Sequence, residues 1–332
     1  MKAILKVYSL VLFIGLFSGS VMANQGEPMI EKKKTYSKSY PVGSSDRISF
    51  DNRFGELKIN SWDKNEVKVD IVMVGKANSD QVAQEVLDRI TIEDGKSSNG
   101  VYFKTKIGDG KKWPQGDKYN NTGFSIDYVV YLPSRNALTV ENEFGQTIVP
   151  DHSGEITIVQ KFGVLTAGKL SNVKKVHVEF SGGSTIESVT GGLIDFRFSR
   201  GQVNRLEGKV KANFEHSDAI KLTVDNSLTE LTVNNSFTKL IIDASKSLSA
   251  SFNVHTNFSQ LDNNSTFSIK EHGANDEDRG PKFDHDYTGK SGSGTIPVII
   301  KSEFGEVVIG HAVPFDVKAK EKNKDKKKER SI

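Results

Sequence analysis

From Arg47 onward the chain alternates apolar and polar residues. Ile48 and Phe50, then Leu57 and Ile59, then Val67, Val69 and Ile71 occupy every second position, the period of a strand with one face in a core. Asp63-Lys64-Asn65 supplies a turn before the last of these runs. One stretch switches to helical spacing. A helix over 79–90 would bring Val82, Val86, Leu87 and Ile90 to one side, with Asn78 or Ser79 as N-cap, and would lie across the first sheet. Val101 to Ile107 and Phe124 to Leu132 return to alternation around a loop in which Trp113 reads as an anchor. Residues 39–135 are therefore expected to form a β-rich cap carrying one helix.

From Leu138 a repeat takes over. Phe144, Phe162, Phe180 and Phe198 are spaced by 18; four residues before them stand Val140, Ile158, Val176 and Ile194, and one residue after them Gly145, Gly163, Ser181 and Ser199. Farther on the period halves, with Leu222-Thr-Val-Asp-Asn-Ser followed nine residues later by Leu231-Thr-Val-Asn-Asn-Ser. Two nine-residue sides make one 18-residue coil. The expected fold is thus all-β: a parallel β-solenoid (β-helix) of about 18-residue coils over 136–315, stacked ~4.8 Å apart. The N-terminal region would cap one end and the strands of Ile296 to Ile309 the other. In this reading the phenylalanine column, Phe162 included, is buried. Glu143, Lys161, Glu179 and Arg197, one position earlier, then face outward as a row of alternating charge that sets register and has no catalytic role. The acidic, glycine-rich stretch 271–294 is expected to leave the rod as a loop.

Composition changes the picture at the two ends. Met1 to Ala23 has basic Lys2 and Lys6, an apolar run from Val7 to Phe17, and Val21-Met22-Ala23, the layout of a secretory signal peptide (1–23) with cleavage expected after Ala23. Residues 24–38 are polar and read as a flexible leader. No later segment approaches the ~20 apolar residues of a membrane span. Lys318 to Arg330 holds eight basic and three acidic residues, so the body without tail and signal carries about −4, against +3 for the whole chain. That balance argues against a nucleic-acid partner. The tail, 316–332, reads as disordered and basic enough to touch anionic surfaces. With no cysteine in the chain, disulfides, thiolate metal sites and a cysteine nucleophile are excluded.

Several phrases resemble the putative-adhesin family of secreted bacterial β-solenoid domains. They are Asn52-Arg-Phe-Gly-Glu-Leu-Lys-Ile-Asn-Ser-Trp-Asp, Val129-Val-Tyr-Leu-Pro-Ser with Leu138-Thr-Val-Glu-Asn-Glu-Phe-Gly, and Ser302-Glu-Phe-Gly-Glu-Val. Their order and spacing carry the resemblance, which spans about Tyr40 to Gly310. It implies a parallel solenoid and an adhesive role on the cell envelope, and it brings no catalytic or ligand residues with it.

Candidate chemistry is sparse. Gly289-Lys290-Ser291 ends like a phosphate loop, but Asp284 stands where the loop needs glycine. The seven histidines, His152, His177, His216, His255, His272, His285 and His311, are scattered. Asp276, Glu277 and Asp278 with Asp284, His285 and Asp286 form the one acidic cluster with functional potential, for calcium or for glycoside cleavage. It lacks calcium-loop spacing, and Arg279 and Lys282 sit among the acids. Asp225 and Asn234 read as turn or ladder residues, and Asn226, Asn235, Asn253 and Asn257 as stacked amides. No catalytic, cofactor or metal residues are assigned. The expectation is an exported, non-catalytic binding or structural module whose partner is an envelope or surface glycan or protein. The alternatives are a carbohydrate-active solenoid enzyme and a periplasmic protein-binding sensor.

Overall fold

A computed structural model describes residues 29–108, 116, 119–272 and 283–318. Period-two alternation becomes strand in 29–108, 119–272 and 283–318. In chain order the strands are β1 (Ile30–Pro41), β2 (Ile48–Arg53), β3 (Leu57–Ser61), β4 (Glu66–Ala77), β5 (Ile90–Ser97), β6 (Gly100–Ile107), β7 (Gly123–Leu132), β8 (Leu138–Glu143), β9 (Thr147–Val149), β10 (Ile156–Lys161) and β11 (Leu165–Leu170). They continue as β12 (Val173–Glu179), β13 (Ser184–Arg197), β14 (Arg200–Glu215), β15 (Ala219–Ser236), β16 (Lys239–Ala244), β17 (Ala250–Asn257), β18 (Leu261–Asn264), β19 (Ser268–His272), β20 (Asp284–Lys290), β21 (Ile296–Glu303) and β22 (Val307–Gly310). The helix, α1, runs Asp80–Leu87.

Among the described residues the chain is all-β with this one helix, and its strands form one hydrogen-bonded, nearly closed sheet around a common core. Two ladders run its length. The first stacks β6, β2, β8, β10 and β12, then the second halves of β13, β14 and β15, then β21 and β17, all parallel. Antiparallel β20 and β19 close it. The second stacks β7, β3, β9, β11, the first halves of β13, β14 and β15, then β16, β22 and β18, again parallel. Antiparallel β4 and β1 extend it beyond β7. Strand directions are therefore mixed, and the whole sheet is not the uniform parallel coil expected.

The 18-residue register is nonetheless visible in the pairings. Lys161 lies opposite Glu143 on one side and Glu179 on the other, and Glu179 lies opposite Arg197. Val140, Ile158, Val176 and Ile194 form a column with 0% exposure.

Five expectations need correction. Ile30 to Lys38, read as leader, belongs to β1 and pairs with β4 along its length. The helix stops at Leu87; Ser79 is its N-cap as read, accepting from the Val82 amide at 3.3 Å, but Ile90 opens β5. The loop at 271–294 is in its described part the β19–β20 hairpin. The strands over Ile296 to Ile309 do not cap the stack: β21 lies between β15 and β17, and β22 between β16 and β18. The N-terminal end shows the same device, with β2 between β6 and β8.

The fifth correction concerns the phenylalanines. Ile158 and Gln160 point in and Lys161 points out, so a continuing strand would bury Phe162. Phe162 instead has φ +50° and is 45% exposed. Its left-handed backbone turns the corner between the two ladders and swings the ring to solvent. Phe144, Phe180 and Phe198 do the same, as do Phe54, His216, Phe237, Phe258 and Phe304. Each such residue costs roughly 1–2 kcal/mol of backbone strain, and stacking between rings offsets part of it.

This conformation yields a sign-inverted prediction. In an ordinary strand glycine destabilises relative to alanine by ~0.5–1 kcal/mol; at position 162 the left-handed φ relieves only glycine, so Phe162→Gly should be more stable than Phe162→Ala by about 1 kcal/mol. Denaturant midpoints of the two variants decide it, and a more stable alanine variant would refute the left-handed corner.

Candidate functional site

The corners build one continuous surface feature. The ring of Phe54 stacks on Phe144 at 4.8 Å, and the column continues through Phe162, Phe180, Phe198, His216, Phe237, Phe304 and Phe258 at centroid separations of 4.7–5.3 Å. Phe283 adds a tenth ring, tilted, at 4.7 Å from Phe258. Interplanar angles from Phe54 to Phe258 are 10° or less. The backbone holds this column in place. From Phe54 to Phe304 the amide of the corner residue donates to the carbonyl preceding the corner of the next coil, as Phe144 does to Lys161 at 3.0 Å and Phe162 to Glu179 at 3.0 Å, and Phe258 donates to the Phe283 carbonyl at 2.8 Å.

Stacking decides what the ridge offers a partner. Ring faces cover one another, and the exposed part of each interior ring is its hydrogen-bearing edge, the positive rim of the quadrupole. A ridge of edges gives apolar area without the flat faces on which a sugar ring would stack. Each half-exposed phenylalanine leaves about 90 Å², so the eight most exposed rings present roughly 700 Å², beyond the 300–600 Å² of the largest patch on a typical monomer.

Small residues after each corner are required by the stacking, and the chain meets the requirement in two ways. A Cβ on Gly163 would lie 1.9 Å from the Gly145 carbonyl oxygen, and one on Gly145 would lie 1.9 Å from that of Gly55. These carbonyls receive buried side-chain amides instead, Gln160 Nε2 at 2.8 Å and Asn142 Nδ2 at 3.2 Å. In the next coils serine replaces glycine. The Ser181 amide donates to Ser199 Oγ at 3.1 Å and the Ser199 amide to Ser217 Oγ at 3.1 Å. The interior column beneath then turns apolar, with Val178, Phe196 and Phe214 fully buried.

Beside the ridge runs the charged row read from the sequence, and it is longer than expected. Arg53 pairs with Glu143 at 3.5 Å, Lys161 with Glu179 at 3.7 Å and Arg197 with Glu215 at 3.3 Å. The alternation holds although the phenylalanine column was assigned to the wrong face, because the corner reverses the ring alone. Just beneath the row, Asp195 is buried and accepts from His177 Nδ1 at 3.0 Å and Arg197 Nε at 3.1 Å. Burial pushes this carboxyl up, but the hydrogen bonds from His177 and Arg197 outweigh it and hold it below the ordinary carboxylate range.

The other candidates disperse. Asp276, Glu277, Asp278 and Trp113 lie outside the described residues. Asp284 and Asp286 flank His255 at 3.9 and 2.8 Å, while His285 pairs with Glu271 at 2.8 Å. Among the described residues no group of three or more acids and histidines is arranged to hold a metal ion. His152 is buried against the Asn136 carbonyl at 2.9 Å, and burial lowers its pKa from the ordinary value. Asn234 donates to Asn213 at 3.0 Å, a ladder pair as read, and Asp225 accepts from the Ser227 amide at 2.8 Å within β15. Asn226, Asn235, Asn253 and Asn257 form no common stack: Asn226 donates to the Ser247 carbonyl, Asn235 to that of Thr238, and Asn257 to the Asp284 carboxylate.

Sequence reasoning missed six of the ten ridge residues. His216 continues the spacing of 18, and Phe237 and Phe258 follow at 21, a signal hidden by three extra residues per coil.

No protein-family model and no curated protein matches the chain. Among solved structures it is similar to a putative cell adhesion protein from Clostridium sporogenes, at 13% identity over 84% of this chain and 100% of the other, with a TM-score of 0.24. It is similar to a putative adhesin from Bacteroides fragilis at 12% identity over 83% and 97%, TM-score 0.31, and to one from Parabacteroides merdae at 10% over 83% and 96%, TM-score 0.26. Overlaps of this size carry no argument about the role of this chain.

Two predictions follow from the charged row. Lys161→Glu sets three carboxylates in succession and should destabilise by about 0.5–1 kcal/mol, more at low salt than at high salt; equal denaturant midpoints at both salt concentrations would dissolve the ladder. For Asp195, a depressed folded pKa means stability that is present above the unfolded value of ~3.9 and lost as pH falls through the folded value. Asp195→Asn should therefore be less stable than the parent at pH 7 and lose less stability between about pH 5 and 2. Parallel pH profiles for the two proteins would contradict it.

Proposed function

We propose that this protein is an exported, non-catalytic module of the bacterial cell envelope, built on a parallel β-solenoid and acting by adhesin-like binding or as a structural element. The observation that carries the reading is the aromatic ridge. Nine residues sit in a left-handed conformation that L side chains avoid, and the result is a hydrophobic strip exposed along the stack. Such a strip suits an extended contact made of many similar increments, and repeat folds present extended surfaces of this kind. The secretory layout of Met1 to Ala23 supports export. The basic tail would add attraction to anionic surfaces. Glu143, Glu179 and Glu215, carboxylates beside the ridge, each lie next to a basic partner, which supports a register role over an acid–base pair.

The test is the purified protein with isolated envelope material. The protein should sediment with the envelope and release neither reducing sugar nor peptide, and Phe180→Ser/Phe237→Ser should sediment less. Turnover would overturn the non-catalytic reading; undiminished sedimentation of the variant would remove the ridge from it.

A further inference from the structure

We infer that the ridge is covered by a second copy of this chain, the two stacks lying antiparallel, ridge against ridge, about a two-fold axis between Phe198 and His216. This rests on reading the ridge as a contact surface and names its occupant: the ridge then joins two copies, and its loss weakens sedimentation with the envelope through lost bivalency.

The first argument is charge. In stack order the row beside the ridge reads Arg53, Glu143, Lys161, Glu179, Arg197, then Glu215, Ser236, Glu303, Asn257, Asp284. A two-fold axis at its centre sets each residue against the one equally far from the other end. Arg53 then faces Asp284, Lys161 faces Glu303 and Arg197 faces Glu215, while Glu143 meets Asn257 and Glu179 meets Ser236. No like charges meet. An isologous contact requires self-complementarity of this kind. A parallel side-by-side contact in register would set each charge against its own copy.

Area is the second argument. The roughly 700 Å² of aromatic edge is close to the ~800 Å² per partner of a standard stable interface, before the flanking row is counted. The third is the hydrophobic effect: edges offer no flat face to a sugar ring, and covering one hydrocarbon ridge with another removes both from water.

Trans-complementation tests the arrangement. Lys161 and Glu303 lie five coils apart within one chain, so they can meet only between copies. Sedimentation equilibrium of the full mature chain should show a dimer, and Lys161→Glu or Glu303→Lys alone should weaken it by about tenfold, each setting two like pairs in the interface. An equimolar mixture of the two variants should recover near-parent affinity as a heterodimer, because both pairs become opposite. Glu303 has the uncharged row neighbours Ser236 and Asn257, so Glu303→Lys should leave the melting temperature unchanged. A monomer at all concentrations would overturn the inference, as would a dimer indifferent to Phe180→Ser/Phe237→Ser. Failure of the mixture to recover would overturn the antiparallel register. A monomer that still sediments with envelope through its ridge would hand the ridge to an envelope component and leave the proposed function standing.

Discussion

In-register hydrogen bonding through the corner is the constraint from which the other features follow. From Phe54 to Phe304 the amide of the ring residue donates to the carbonyl preceding the next corner, so the backbone repeats there at strand spacing and the side chain at each position meets its own equivalent one coil away. Aromatic rings must then stack, charges must alternate or repel, and a residue following a corner must leave room for the carbonyl beneath it. Favourable and unfavourable local choices alike recur in every coil.

That logic explains which parts of the fold were legible in the sequence. Val140, Ile158, Val176 and Ile194 were read as a column and are one, because between Leu138 and Glu215 the order of coils is the order of the chain. The face of Phe162 was misread because alternation assumes extended backbone, and a single left-handed residue reverses the side on which a side chain emerges. Nothing in residue type announces that conformation, since phenylalanine is among the residues that avoid it. The placement of Ile296 to Ile309 was missed for a different reason. The segment was read as the end cap although its phrase Ser302-Glu-Phe-Gly repeats that of Glu143-Phe-Gly, and such a repeat in any case does not tell between which neighbours a coil lies.

The corner also couples positions that look independent. Where glycine follows the ring residue, as at Gly145 and Gly163, the interior position two residues before the ring carries Asn142 or Gln160 to cap a carbonyl. Where Ser181, Ser199 or Ser217 follows, that interior position is Val178, Phe196 or Phe214. Exchanging one member alone leaves either a buried amide without its acceptor or a carbonyl without its donor, at roughly 1–3 kcal/mol. A coil is therefore a unit of substitution, not a string of separable sites.

The insertion of β21 and β22 between coils laid down earlier has a consequence for how this molecule comes into being. Until Ile296 to Gly310 arrives, β15 and β17 face one another across an empty slot, each with an unpaired edge, and so do β16 and β18. A chain delivered amino end first would thus hold its distal coils open until its last strands dock. Loss of those strands would leave the outermost coil, β17 and β18 with the β19–β20 hairpin, parted from the rest of the stack by a gap. Closure by this segment acts as a keystone: its ladder hydrogen bonds are what join the outermost coil, β17 and β18, to the rest of the stack.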